Sequence, residues 1–240
     1  FCEPIQGSGG VIVPPKGWLK AMRGACTRLG ILMLVDEVIT GFGRTGPMFA
    51  CDDEDVSPDF LTLAKGLTSG YAPMGAVLMA DHVYQTIADS APEALPVGHG
   101  FTYSGHPVSA AVALEVLRLY RHGGLLENGA VVGERFAARI EALRAHPLVG
   151  DARGRGLLGA IELVTNKQTK TGFDAALDVG GRLSQLTWDN GVIVRCFANA
   201  VIGFAPALCC SMDEMDLIFD RVEKSLDALL EQPDIRAALS

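Results

Sequence analysis

Hydrophobic residues in this chain come in two patterns: short solid runs, and longer stretches at helical spacing. Between Lys16 and Leu29 the apolar positions Trp18, Leu19, Met22, Ala25, Cys26 and Leu29 lie near one face of a helix. Gly30 ends that stretch as a C-cap glycine would. The run "ILMLV" at 31–35 is solid and of strand length, which predicts a strand buried on both faces. Acidic and polar sequence from Cys51 to Asp59, with Ser57-Pro58 as a breaker, predicts a loop. Strands are predicted over Phe60–Ala64 and Gly75–Met79, and Phe1–Cys2 reads as the end of another.

Further on, an alanine- and leucine-rich helix is predicted from Pro107 to Tyr120, with proline in its first turn. A second helix runs from about Leu125 to Ala145. After Pro147 the character changes. "RGRG" at 153–156 reads as a turn ahead of a strand over 157–163. A helix near 174–190, a strand near 191–196 and a last helix near 212–231 follow. Trp18 and Trp188 sit at helical core spacing. Strands alternating with helices predict a layered α/β sheet in residues 1–125 and a smaller α+β unit in 126–240.

Composition narrows the class. The chain has 240 residues, 49% hydrophobic and 20% charged, enough apolar surface for a real core. Asp and Glu number 28 against 20 Lys and Arg, a net charge of −8, which argues against general affinity for nucleic acid or acidic membrane surfaces. Cysteines at 2, 26, 51, 196, 209 and 210 form no CxxC pair and have no histidines at zinc spacing, so no metal site is expected. Reduced, packing cysteines in a cytoplasmic protein are the expectation. "DDED" at 52–55 reads as a solvated loop, and "GSGG" at 7–10 as a turn and not a phosphate site. The chain opens on "FCEPIQGSGG", as though entering partway along a strand, and is expected to be a piece of something longer.

Two ionisable residues end the solid runs: Asp36 after "ILMLV" and Lys65 after "DFLTLA". In open α/β sheets ligands collect at the carboxyl ends of strands. Either charge alone reads as a chain re-emerging into water. Together, with glycines close behind both, they point to one crevice. Pyridoxal phosphate needs such a pair. A lysine amine forms a Schiff base with it, and a carboxylate beside the pyridine nitrogen keeps that nitrogen protonated. Partial burial and nearby cationic charge can lower a lysine pKa enough for attack on carbonyl carbon.

Four stretches, "EPIQGSGGVIVPP" at 3–15, "VDEVITGFGRTG" at 35–46, "PDFLTLAKGLTSGYAPMGAVL" at 58–78 and "HGFTYSGHP" at 99–107, together resemble the class III aminotransferases. The resemblance covers essentially the whole chain. It implies the aspartate-aminotransferase-like, type I pyridoxal-phosphate fold: part of the large α/β domain plus the C-terminal small domain. It also implies roles. Lys65 would be the Schiff-base lysine and proton shuttle, Asp36 the partner of the pyridinium nitrogen, and Val38 a contact on one ring face. Thr102 would reach the cofactor phosphate of the neighbouring subunit of a homodimer; read locally, it is a helix-capping threonine. Arg195 would bind the carboxylate of the acidic substrate; read locally, it closes a small-domain strand. Glu3 reads as a site-wall or a structural carboxylate. Ile39 stands where ornithine-type relatives carry glutamine, so the likeness leans to the ω-transaminase branch, which moves an amino group from an amine or ω-amino acid to a 2-oxo acid such as pyruvate. An aminomutase of the glutamate-1-semialdehyde type and a noncatalytic partial chain are the alternatives. In the family the phosphate cup and the second ring-stacking residue lie upstream of "EPIQG".

Overall fold

The computed structural model describes residues 1–90, 99–197 and 200–239. It divides into two compact units, each assembled from separate stretches. The first comprises Phe1–Pro4, Pro14–Phe42 and Pro47–Leu125; the second comprises Ile5–Val13, Gly43–Gly46 and Leu126–Ser240.

The first unit begins with α1, Trp18–Leu29. The Gly17 and Lys20 amides at its start donate to the Glu54 carboxylate at 3.0 and 2.9 Å, so an acid of the "DDED" stretch caps this helix. Gly30 closes it in the left-handed conformation expected of a C-cap glycine. The predicted strand over 31–35 is shorter than its apolar run: β1 is Leu34–Asp36. Ile31 spends its amide on the Cys26 carbonyl of the helix end, so it cannot join a ladder, and Ile31 and Leu32 are each 54% exposed. Met33 and Val35 are buried. Cys2 flanks β1 as a parallel bridge, donating to Leu34 O and accepting from Asp36 N, as the apolar start of the chain predicted.

Strand β2, Phe60–Leu63, runs parallel to β1, and β3, Ala76–Met79, runs antiparallel to β2, giving the order β1-β2-β3. Helix α2, Asp81–Ser90, has no counterpart in the sequence reading; Val83 is its one buried residue, too little to make a periodic signal. Helix α3, Pro107–His122, buries Ser109, Ala113, Val116 and Tyr120, one stripe at helical spacing.

The second unit holds α4 (Leu125–Leu143, all but its first residue), β4 (Val149–Arg155), β5 (Leu158–Leu163), α5 (Val179–Asp189), β6 (Arg195–Phe197), β7 (Val201–Phe204), α6 (Met212–Leu230) and α7 (Pro233–Ala238). Its sheet is antiparallel, in the order β4-β5-β7-β6. "RGR" is therefore strand and not turn; only Gly156, at φ 58, makes the bend. As an edge strand with a bulge near its start, β4 pairs through its backbone while Asp151, Arg153 and Arg155 alternate along it, which hides it in the sequence. Arg153 donates to Gly10 O and Val11 O and pairs with Asp151 and Glu162, so the "GSGG" segment is pinned as a loop.

Phe136 of α4 and Phe219 of α6 meet edge-on with ring centres 5.6 Å apart, and Phe204 of β7 stacks on Phe219 at 5.7 Å, fixing the centre of this core. The single helix expected over 174–190 is split, because Asp178 turns left-handed at φ 42 and caps α5 with its carboxylate on the Gly181 amide. Trp188 is 62% exposed, not core. Helix α5 buries Val179, Gly180, Leu183 and Thr187, and the residue after Thr187 falls off that face. Helix α6 starts on a capping box: Glu214 N donates to Ser211 Oγ at 3.1 Å, and Ser211 N to the Glu214 carboxylate at 2.8 Å.

Candidate active site

Strands β1 and β2 are parallel and in register, Asp36 opposite Thr62. Asp36 is the last residue of β1, and Lys65 follows β2 after Ala64. Both therefore stand at the carboxyl ends of neighbouring parallel strands, the ligand-collecting edge of such a sheet. Residues paired across a parallel ladder project to the same face, so Thr62 shares the face of Asp36.

The local backbone shapes this edge. The Val38 amide donates to Asp36 Oδ1 at 2.9 Å, which fixes the carboxylate at the start of the turn. Behind it Glu37, fully buried, accepts from the Thr40 hydroxyl at 2.5 Å and from the Ala50 and Cys51 amides at 3.0 and 2.8 Å. Burial pushes the Cys51 thiol well above its ordinary value, and the Glu37 carboxylate beside it adds to the rise. Lys65 has a left-handed backbone at φ 41, and so has Phe42 at φ 58. For residues with a Cβ this conformation costs about 1–2 kcal/mol each, so surrounding contacts must hold it.

Three groups at this edge are uncommitted. Lys65 is exposed, and among the described residues its amine has no partner. Asp36 Oδ1 takes the Val38 amide, and Oδ2 has no protein donor among the described residues. Thr62 Oγ1 is buried with no hydrogen-bond partner, an orphan that a native interior rarely tolerates. A free amine, a carboxylate oxygen and an unpaired hydroxyl fit a ligand that carries an aldehyde, a basic ring nitrogen and further polar groups, as pyridoxal phosphate does.

The first unit thus brings Asp36, Val38 and Lys65 to one sheet edge. Thr102 belongs to the same unit, exposed in the turn before α3. It does not cap that helix: His106 holds the N-cap position, and the Ser104 hydroxyl takes the Phe101 amide at 2.8 Å. Arg195 belongs to the second unit, exposed as the first residue of β6, with its guanidinium 5.4 Å from the centre of the Phe197 ring. Sequence reasoning missed Glu37 and Thr62. The only signal for Glu37 was an acid inside an otherwise apolar turn, and Thr62 gave none. Among the described residues no group of three or more His, Cys, Asp or Glu could hold a metal ion, and no helix is long and apolar enough to cross a membrane.

Residues 1–226 match the family model of aminotransferase class-III. The putrescine–pyruvate aminotransferase of Pseudomonas aeruginosa is 41% identical over 95% of this chain and 49% of its own length. Among solved structures, a thermostable (S)-enantioselective omega-transaminase from Thermomicrobium roseum superposes with a TM-score of 0.91 at 41% identity, covering 96% of this chain and 51% of the other. A PMP-bound aminotransferase from Vibrio fluvialis superposes at 0.89 with 36% identity, covering 96% and 51%. The chain spans about half the length of the relatives it matches. It has the type I fold of the pyridoxal-phosphate-dependent transaminases over 97% of its length. With a family match of that extent, and relatives of about 40% identity along nearly all of it, this chain belongs to the class-III aminotransferase family.

Proposed function

We propose that this chain carries the catalytic edge of an aminotransferase that moves an amino group from an amine or ω-amino acid to a 2-oxo acid such as pyruvate, in two half-reactions. The observation that carries the reading is the placing of Lys65 and Asp36 at the ends of adjacent parallel strands with their functional atoms uncommitted. Pyridoxal phosphate supplies, when bound, an aldehyde for the amine and a ring that takes up the electron pair left when a Cα–H bond breaks.

Lys65 would hold the cofactor through its amine and, once freed, would serve as the base and acid that moves the proton. Asp36 would face the ring nitrogen and favour its protonated form. Val38, half-buried beside Asp36, supplies an apolar surface for one ring face. Thr102 supplies a hydroxyl to the phosphate of a neighbouring subunit, so the working form is a homodimer. Arg195 supplies a planar cation for a substrate carboxylate; lysine lacks that fork geometry. The relatives named for putrescine with pyruvate and for omega-transamination support amines without an α-carboxylate as donors. The free cysteines support the cytoplasm as the compartment.

The test is amino transfer with the complete protomer, an ω-amine and pyruvate, followed by alanine formation, with and without Lys65→Ala. Borohydride reduction and peptide mass mapping locate the cofactor. Alanine appears with the wild-type protein and is lost with the variant, and the label maps to residue 65. A label on another lysine, or alanine formation that Lys65→Ala leaves intact, refutes the assignment.

A further inference from the structure

Among the described residues the Lys65 amine has no hydrogen-bond or ion-pair partner, yet the Lys65 backbone is held in an uncommon shape. Two residues distant in sequence account for this. Tyr120, near the end of α3, stacks on Phe42, ring centres 5.6 Å apart and planes 24° apart. Phe49 braces Phe42 edge-on from another side, also at 5.6 Å. The Tyr120 hydroxyl donates to Gly66 O at 3.0 Å, the carbonyl of the residue immediately after Lys65, which also accepts from Ser69 N at 3.2 Å. Phe42 presses on the same glycine. A Cβ on Gly66 would stand 2.7 Å from Cδ2 and 2.9 Å from Cβ of Phe42, so the ring occupies the space that any side chain there would need. Tyr120 and Phe42 are both buried. One hydrogen bond to its carbonyl and one ring against its Cα therefore hold Gly66, the residue that directly follows Lys65. Lys65 and Phe42 are themselves the two left-handed residues of this contact region that carry large side chains, a conformation such residues keep only when neighbours over-determine it.

We propose that Phe42 and Tyr120 are positioning residues for Lys65: by clamping Gly66 they fix the left-handed backbone at Lys65 and so the direction in which its amine leaves the strand end. The inference rests on the reading of Lys65 as the attachment point of the cofactor. It goes beyond that reading by naming what aims the amine.

The test separates aiming from general packing. Tyr120→Phe keeps the stacked ring and deletes the hydroxyl; Phe42→Leu deletes the stack. In the complete protomer, affinities for pyridoxal phosphate and for pyridoxamine phosphate are titrated separately, and borohydride reduction with peptide mapping reports attachment at residue 65. The aldehyde joins the Lys65 amine with loss of one water, and borohydride supplies the hydride that fixes the bond. Pyridoxamine phosphate has no aldehyde, so its affinity reports the pocket without the lysine. Tyr120→Phe is expected to weaken pyridoxal phosphate about fivefold, the size of one neutral hydrogen bond, and to leave pyridoxamine phosphate within about twofold. Phe42→Leu weakens the aldehyde form further. Equal losses for both forms mean general loosening and overturn the proposal, as does no loss for either. Absence of label at Lys65 in the wild-type protomer removes the attachment reading itself, and the clamp loses its purpose with it.

Discussion

The Glu37 carboxylate accepts the Cys51 amide at 2.8 Å in a position closed to solvent. Its other oxygen takes the Ala50 amide at 3.0 Å and the Thr40 hydroxyl at 2.5 Å. The turn that leaves Asp36 and returns through Cys51 is folded round this acid. The residue next to the proposed ring-nitrogen partner thus serves the backbone and not the substrate.

Glu37→Ala strands the Ala50 and Cys51 amides in a buried interior. The expected loss is about 3 kcal/mol, more than one hydrogen bond, because the orphaned donors pay their desolvation in full. Glu37→Gln keeps one acceptor oxygen and is expected to lose about half as much. Urea unfolding of the variants measures both, and an alanine variant as stable as the parent contradicts the assignment.

His146 sets an acid limit on the second unit. Its Nδ1 accepts the Leu148 amide at 3.2 Å, and Nε2 faces the Asp227 carboxylate at 3.4 Å. Burial pushes the imidazole below its ordinary value; Asp227 and Glu223 work against that, and Lys167 works with it. The folded state therefore binds its proton less readily than the unfolded chain, whose imidazole titrates near about 6.5. This contribution to stability is complete above that pH and is lost as the pH falls through the lower folded value. Denaturation midpoints taken from about pH 8 to pH 5 are expected to decline below about 6.5. In His146→Gln that part of the decline disappears; a profile unchanged by the substitution counts against it.

Arg195→Lys tests the proposed substrate carboxylate. Lysine keeps the charge but gives up the planar two-point fork and the contact with the Phe197 ring. The KM for the 2-oxo acid is expected to rise about tenfold, the equivalent of roughly 1.4 kcal/mol, with kcat little altered and no change for an amine that lacks a carboxylate. Steady-state kinetics on both substrates decide it: an equal rise for the amine shows a general defect and not carboxylate recognition.

What could be read in advance was what local pattern encodes. Helices α4 and α6 were legible as long stretches at helical spacing; the Ser211–Glu214 capping box at the start of α6 was not read in advance. Asp36 and Lys65 stood out because solid apolar runs stop on them. The rest depends on tertiary company. Strand β4 looked like a turn because an edge strand can be polar on alternate positions while its backbone pairs. Strand β7 is buried at every position but sits in a stretch where apolar residues continue past both ends. The stack of Phe42 on Tyr120 joins two segments with no shared periodicity, so no window of sequence contains it. Glu37 is an acid of the kind usually found at the surface, yet it lies in the core, a placement set by tertiary structure alone.

The interleaved make-up of the two units has a practical corollary for recombination. The polypeptide crosses from one unit to the other at five junctions, after Pro4, Val13, Phe42, Gly46 and Leu125. A single crossover between genes of two relatives, placed after Leu125, would transplant most of the second unit yet leave Ile5–Val13 and Gly43–Gly46 of the original parent embedded in it. Viable chimeras should therefore inherit those two short inserts from the same parent as the C-terminal portion.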